Sequence, residues 1–194
     1  MSLLQSPEAL VRKAGSRDPF VIAEMLEIPV HHVYHPESGL PGLTAMALNR
    51  PSIFINDAYF DRLIQKDRHY TEENALDDIR QVGGHELGHC CKHRTELKIA
   101  PIKEYEIFNV RTPREAEANT YAAGILIDKR EMLEFLNSQM TILQVAAQMH
   151  VNVNLLIYRI EMLRKEGMIF HELPYLPKNN FIGKIHGSSI SLFN

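Results

Sequence analysis

The spacing of apolar residues predicts a helical start to the chain, then a short stranded segment, then a mainly helical remainder. Asp18 and Pro19 are typical of a helix start, and the apolar residues after them recur at helical spacing, which predicts short helices within 7–26. Short or alternating apolar runs predict three strands, the last two forming a hairpin: 29–34, 44–48 and 52–56. We expect the first helices to cover one side of a core built on these strands.

Helical patterns dominate the rest of the chain. Thr71 precedes two glutamates and Thr112 precedes a proline, and both arrangements are typical of helix N-termini. Four helical segments are predicted: 71–93, 112–127, 141–150 and 154–166. The last two have the spacing of a helix-turn-helix.

The long helix at 71–93 contains three glycines, which is unusual. Gly83, Gly84 and Gly88 would each cost about 1 kcal/mol relative to alanine inside a helix. Glycine allows another backbone to approach closely because it has no Cβ. We therefore expect a second element to pack tightly against this helix.

Together these elements predict an α+β fold, with a small antiparallel sheet, two long helices packed behind it and a helical C-terminal module. A chain of 194 residues is long enough for one well-buried core with an appendage. We place the first domain at 1–128 and the helical module at 129–194, the latter ending in an irregular tail.

Composition favours a soluble protein of the cytoplasm. No stretch reaches the roughly 18 apolar residues that a membrane span requires, and the first residues lack the pattern of a signal sequence. The adjacent Cys90 and Cys91 do not suggest a disulfide framework, which agrees with a reducing compartment. A net charge of −3 gives no broad basic surface for nucleic acid.

The strongest chemical signal is the motif from His85 to His89, an HExxH sequence within the predicted long helix. Residues four apart share a helix face, so His85 and His89 can present two imidazoles to one ion, with Glu86 beside them. Catalytic zinc has three protein ligands and keeps a position for water, and Glu86 is the candidate general base. Manganese is the alternative ion, because affinity order alone does not decide metal choice.

The third ligand must come from elsewhere, and the second helix offers carboxylates. Glu115 and Asn119 share a face, so Glu115 can bind the ion while Asn119 orients an imidazole by a hydrogen bond. Alternatively, Glu115 is part of a capping box with Thr112, and Glu117 is the ligand, or neither is. His93, one turn beyond His89, is expected to face solvent.

The residues 85–89 (HELGH) and 115–123 (EAEANTYAA) make the chain resemble the ImmA/IrrE family of metallopeptidases, whose pattern is HELGH followed by ExEANxFA. The resemblance covers most of the chain, with Tyr121 in place of the usual phenylalanine. It implies a zincin-like fold and a metal-ligand role for Glu115. It also implies a selective intracellular protease that cuts a partner, often a helix-turn-helix repressor of a prophage or mobile element.

Two other functions are considered. The chain could be a DNA-binding regulator with a structural or vestigial metal site, because Arg159, Arg164 and Lys165 lie on the second helix of the C-terminal pair. Glu161 and Glu166 interrupt that basic face, which argues against DNA. The chain could also be one component of a toxin–antitoxin pair.

For a protease, we expect the strand 52–56 to offer an edge to an extended substrate.

Overall fold

The computed structural model describes residues 6–103, 112–138 and 140–170. Within them the strands are β1 (Val30–Val33), β2 (Gly42–Ala47), β3 (Arg50–Asn56) and β4 (Ile102–Lys103). The helices are α1 (Pro7–Ala14), α2 (Pro19–Met25), α3 (Asp57–Lys66), α4 (Glu72–Lys92), α5 (Arg94–Leu97), α6 (Pro113–Leu126), α7 (Lys129–Asn137), α8 (Ile142–Gln148) and α9 (Val153–Lys165). This content confirms the predicted α+β class. None of these helices combines the length and the apolar character that crossing a bilayer demands.

The starts of the two long helices, α4 and α6, follow from local side-chain chemistry. Thr71 caps α4 in a reciprocal capping box with Asn74, which satisfies two backbone N–H groups that lack helical partners. Thr112 caps α6 by accepting a hydrogen bond from the Glu115 backbone N–H at 3.3 Å, and Pro113 follows at the first helical position. Both predicted N-termini are confirmed.

The sheet has the strand order β1-β3-β2-β4. β2 and β3 form the predicted antiparallel hairpin, and their turn at Leu48 and Asn49 has positive φ at both residues. The prediction of an antiparallel sheet is wrong at β1, which pairs parallel to β3 with Val30 opposite Ile53. An apolar pattern predicts a strand, but it does not predict whether the neighbouring strand runs parallel or antiparallel to it. Here β3 lies between β1 and β2 and pairs with each in a different direction.

The central place of β3 also corrects the expected substrate edge. The strand 52–56 was expected to present a free edge, but β3 is hydrogen-bonded to β1 on one side and to β2 on the other. Ile53 and Ile55 are fully buried within it. A substrate strand therefore cannot pair with β3 in this fold.

Helix α4 lies between the sheet and α6, and its glycines allow close contact with α6 and with α2. A Cβ added to Gly88 would lie 2.9 Å from the carbonyl oxygen and 3.0 Å from the Cα of Ala118 in α6. A Cβ on Gly83 would meet the Phe20 ring of α2 at 2.6 Å. The predicted tight packing is confirmed, and at Gly88 the contact is with backbone, which cannot rotate away.

Gly88→Ala is therefore expected to destabilise the protein by up to about 2 kcal/mol, because overpacking of α4 against α6 costs about 1–3 kcal/mol and the higher helix propensity of alanine offsets about 1 kcal/mol of it. The melting temperature should fall by about 2–4 °C for each kcal/mol in a chain of this size. Gly39→Ala is the matched control, since a Cβ there meets nothing within 4 Å. Equal melting temperatures for the two variants, measured by calorimetry, would contradict the contact.

The C-terminal helices form at the predicted places, and α9 packs against α6. The apolar residues of α9, among them Leu155, Leu156 and Leu163, are fully buried. Arg159 is buried as well and forms an ion pair with Glu8 of α1, so it does not belong to an exposed basic face. The domain division at residue 128 stays a prediction, and the predicted irregular tail lies mostly outside the described residues.

Candidate metal centre

The second half of α4 carries the site residues into the interior. His85, Glu86 and His89 are all fully buried, although each is polar. The four-residue spacing of the two histidines places their rings edge to face on one side of the helix, with centroids 4.6 Å apart. Their Nε2 atoms lie 3.0 Å apart, so both imidazoles direct the same nitrogen toward one point.

Glu115 of α6 reaches that point from the opposite side. Its Oε2 atom lies 3.2 Å from the Nε2 of His85 and 3.2 Å from the Nε2 of His89. The side chain is buried, and the Arg114 guanidinium contacts its other oxygen, Oε1, at 3.2 Å. Ligand atoms of these three residues all lie within 4.8 Å of one another, which is the arrangement of a group that could hold a metal ion.

The structure thus brings together the three residues predicted as ligands. Glu117, the alternative ligand, is left outside the cluster, and 64% of its side-chain surface is exposed. The capping alternative for Glu115 is compatible with this arrangement, because only its backbone N–H bonds to Thr112. Its carboxylate remains available to the histidines.

Asn119 lies one turn beyond Glu115 and fixes the orientation of His85. Its Oδ1 atom is 2.8 Å from the Nδ1 of His85. An amide oxygen only accepts hydrogen bonds, so the Nδ1 of His85 must carry the proton and donate it. The Nε2 lone pair of His85 is then directed at the cluster, which is the role that the sequence predicted for Asn119.

His93 is buried, with 5% of its surface exposed, so the prediction that it faces solvent is wrong. Its Nδ1 lies 2.9 Å from the Nδ1 of His89, and its Nε2 lies 3.3 Å from Oε2 of Glu117. The first turn of α6 covers the end of α4, which the sequence of α4 alone does not reveal. The available signal was the regular spacing of His85, His89 and His93 along one face.

Glu86 projects toward the sheet and is held by Thr44 of β2. The Thr44 hydroxyl lies 2.5 Å from Oε2 of Glu86 and 3.1 Å from its backbone carbonyl. The other carboxylate oxygen, Oε1, is buried and has no hydrogen-bond partner among the described residues. Gly42 leaves space there, because a Cβ on that residue would come within 3.4 Å of Oε1. Neither Thr44 nor Gly42 belongs to a motif, so the sequence alone does not indicate that they contact Glu86.

Burial shifts the pKa values of these groups. It raises the pKa of the Glu86 carboxyl to about 7, because a charged carboxylate is poorly solvated in the interior. Burial also lowers the pKa of His89 to about 4, which keeps its imidazole in the neutral form that binds metals. Burial opposes protonation of His85, but the carboxylates of Glu115 and Glu86 outweigh it and raise the pKa of His85.

The donor set fits a divalent metal ion. Two imidazole nitrogens and one carboxylate oxygen form a common ligand set of catalytic zinc, which keeps a further position for water. The buried carboxylate of Glu115 meets the Arg114 guanidinium through Oε1, and a bound cation would balance the charge on Oε2, the oxygen that faces the histidines. Oε1 of Glu86 is buried and has no hydrogen-bond partner within the part of the chain that the structure describes, so it remains available for chemistry.

Comparison with known protein families agrees with this site. The family model of the IrrE N-terminal-like domain, peptidase M78, matches residues 31–161, which is about two thirds of the chain. The matched segment runs from β1 into α9 and includes every residue of the cluster. No curated protein and no solved structure matches the chain. The resemblance to the ImmA/IrrE proteins is confirmed, and the chain belongs to the peptidase M78 family of metallopeptidases.

Proposed function

We propose that this protein is a zinc-dependent endopeptidase that hydrolyses a peptide bond in a specific intracellular protein. The observation that carries the proposal is the convergence of His85, His89 and Glu115 on one buried point, with the unpartnered oxygen of Glu86 beside it. Family membership supports peptide hydrolysis as the reaction. The proposed substrate is a repressor with a helix-turn-helix domain, encoded by a prophage or mobile element, as the resemblance to ImmA/IrrE proteins implies.

Zinc is the proposed ion because two of the three donors are imidazole nitrogens. Manganese, the alternative, favours sites richer in oxygen. When bound, the ion would act as a Lewis acid and lower the pKa of a water molecule. His85, His89 and Glu115 would hold it, and Asn119 would keep His85 in the required tautomer through the 2.8 Å contact at Nδ1.

Glu86 would act as the general base through Oε1. Thr44 occupies Oε2, so Oε1 is the oxygen that is free to take a proton from the attacking water. Burial raises the pKa of the Glu86 carboxyl, which favours its taking that proton, and it would then deliver the proton to the nitrogen of the leaving amine.

Incubation with a candidate substrate tests the proposal. The zinc-loaded protein is mixed with the helix-turn-helix repressor encoded next to its gene, and intact masses are recorded over time. We expect two fragments whose masses sum to the repressor plus one water. An intact repressor, together with a gel shift of operator DNA by this protein alone, would favour the DNA-binding alternative. Stable capture of the intact repressor would favour a toxin–antitoxin role.

Thr44→Val is expected to reduce the cleavage rate by about 10- to 100-fold, because hydrogen bonds to charged groups are worth about 1.5–3 kcal/mol. Valine keeps the shape of threonine, but it cannot donate to Oε2, and the Glu86 carboxyl is then free to rotate. Metal content should be unchanged, since Thr44 does not contact the histidine cluster. Single-turnover cleavage and metal analysis measure the two quantities separately, and an unchanged rate would contradict a role for Thr44.

A further inference from the structure

Besides the contact of His85 with Asn119, a line of hydrogen bonds leads away from the cluster toward the surface. It starts at Nδ1 of His89, passes through both nitrogens of His93 and ends at Oε2 of Glu117. The two contacts measure 2.9 and 3.3 Å. His93 is buried, whereas the Glu117 carboxylate is largely exposed, so the line joins the interior to solvent.

The position of each proton along this line follows if His89 is a metal ligand. To bind a metal through Nε2, a neutral His89 must carry its proton at Nδ1. The Nδ1 of His93 must then accept that proton, so His93 carries its own proton at Nε2 and directs it at Glu117. With His89 as a metal ligand, this arrangement of protons satisfies both contacts of the line.

We propose that His93 and Glu117 are positioning residues that hold His89 in the tautomer and orientation required for metal binding. This inference rests on the proposed function. His85 and His89 would thus be fixed differently, the first by the neutral amide of Asn119 and the second by an imidazole–carboxylate pair. The carboxylate at the end of the line makes His93 a stronger acceptor, and His89 a stronger ligand.

A direct ligand role for His93 does not fit the geometry. His93 contacts Nδ1 of His89, whereas the cluster forms around Nε2 on the other side of that ring. His93 is also not part of the group of described residues whose ligand atoms converge. A role in packing alone does not explain why both of its nitrogens face polar partners.

The test is metal binding rather than activity. His93→Leu removes both contacts, and we expect affinity for Zn²⁺, measured by competition with a chelator, to fall about 10- to 100-fold. His93→Asn places an amide oxygen near the position of Nδ1, so it should recover most of the affinity. Glu117→Ala should cause a smaller loss in the same direction. The visible spectrum of Co²⁺ bound in place of Zn²⁺ reports ligand geometry, so the size of its change should rank the three variants as the loss of affinity does.

The control is His150→Asn, which breaks a histidine–carboxylate contact of 2.8 Å with Asp77 at the outer part of α4. His150 has positive φ, which asparagine tolerates, and metal affinity should not change. Wild-type affinity and spectrum in His93→Leu, or equal losses in the leucine and asparagine variants, would overturn the inference. If His93→Leu does not fold, wild-type affinity in Glu117→Ala overturns it. A wild-type protein that binds neither metal would contradict the proposed function instead.

Discussion

Glu86→Gln is expected to reduce the cleavage rate by about 10²–10⁴-fold while zinc remains bound. Glutamine has nearly the same shape, and its amide oxygen can still accept the hydrogen bond from Thr44. The amide NH₂ then replaces Oε1, the oxygen proposed to take the proton, and it has no basic lone pair. The loss should therefore appear in the chemical step and not in the binding of the ion.

Three measurements separate the base from a structural residue. Single-turnover cleavage of the repressor gives the chemical rate, elemental analysis gives bound zinc, and calorimetry gives stability. Glu73→Gln is the matched control, because Glu73 is exposed in the first turn of the same helix. A wild-type rate in Glu86→Gln would refute the assignment of the base. Loss of zinc along with the rate would mean that Glu86 acts on the metal site itself.

Saturating zinc is expected to raise the melting temperature of the metal-free protein by about 5–16 °C. A ligand that binds only the folded state stabilises it by about 2.7 kcal/mol at 100 times its dissociation constant and 4.1 kcal/mol at 1,000 times. For a chain of this size each kcal/mol shifts the transition by about 2–4 °C. The ion would also bind Oε2 of the buried Glu115 carboxylate, whose other oxygen meets the Arg114 guanidinium.

Scanning calorimetry of the metal-free protein with and without zinc measures this shift. Magnesium is the control ion, because it prefers oxygen ligands and should produce little change. Glu115→Gln and His89→Leu should each abolish most of the zinc effect, since each removes one donor from the cluster. An equal shift in these variants and in the wild type would place the zinc elsewhere on the protein.

The sequence by itself determined the features that depend only on residues close together in the chain. Helical spacing of four put His85 and His89 on one face, and the capping residues Thr71 and Thr112 set where both long helices begin. The glycines of α4 indicated a close backbone contact, which Gly88 makes with Ala118. The histidine spacing and the helix caps are local, because each is set by geometry within a few residues, whereas the glycines indicated a close contact without identifying its partner.

The tertiary structure alone decided which distant groups meet. It brought Glu115 to His85 and His89, placed Thr44 against Glu86, and inserted β3 between its neighbours. It also buried His93 under α6, where the sequence suggested solvent. The physical reason is that these contacts depend on how α4, α6 and the sheet pack together. Packing depends on the shape of the whole core, which no short stretch of sequence records.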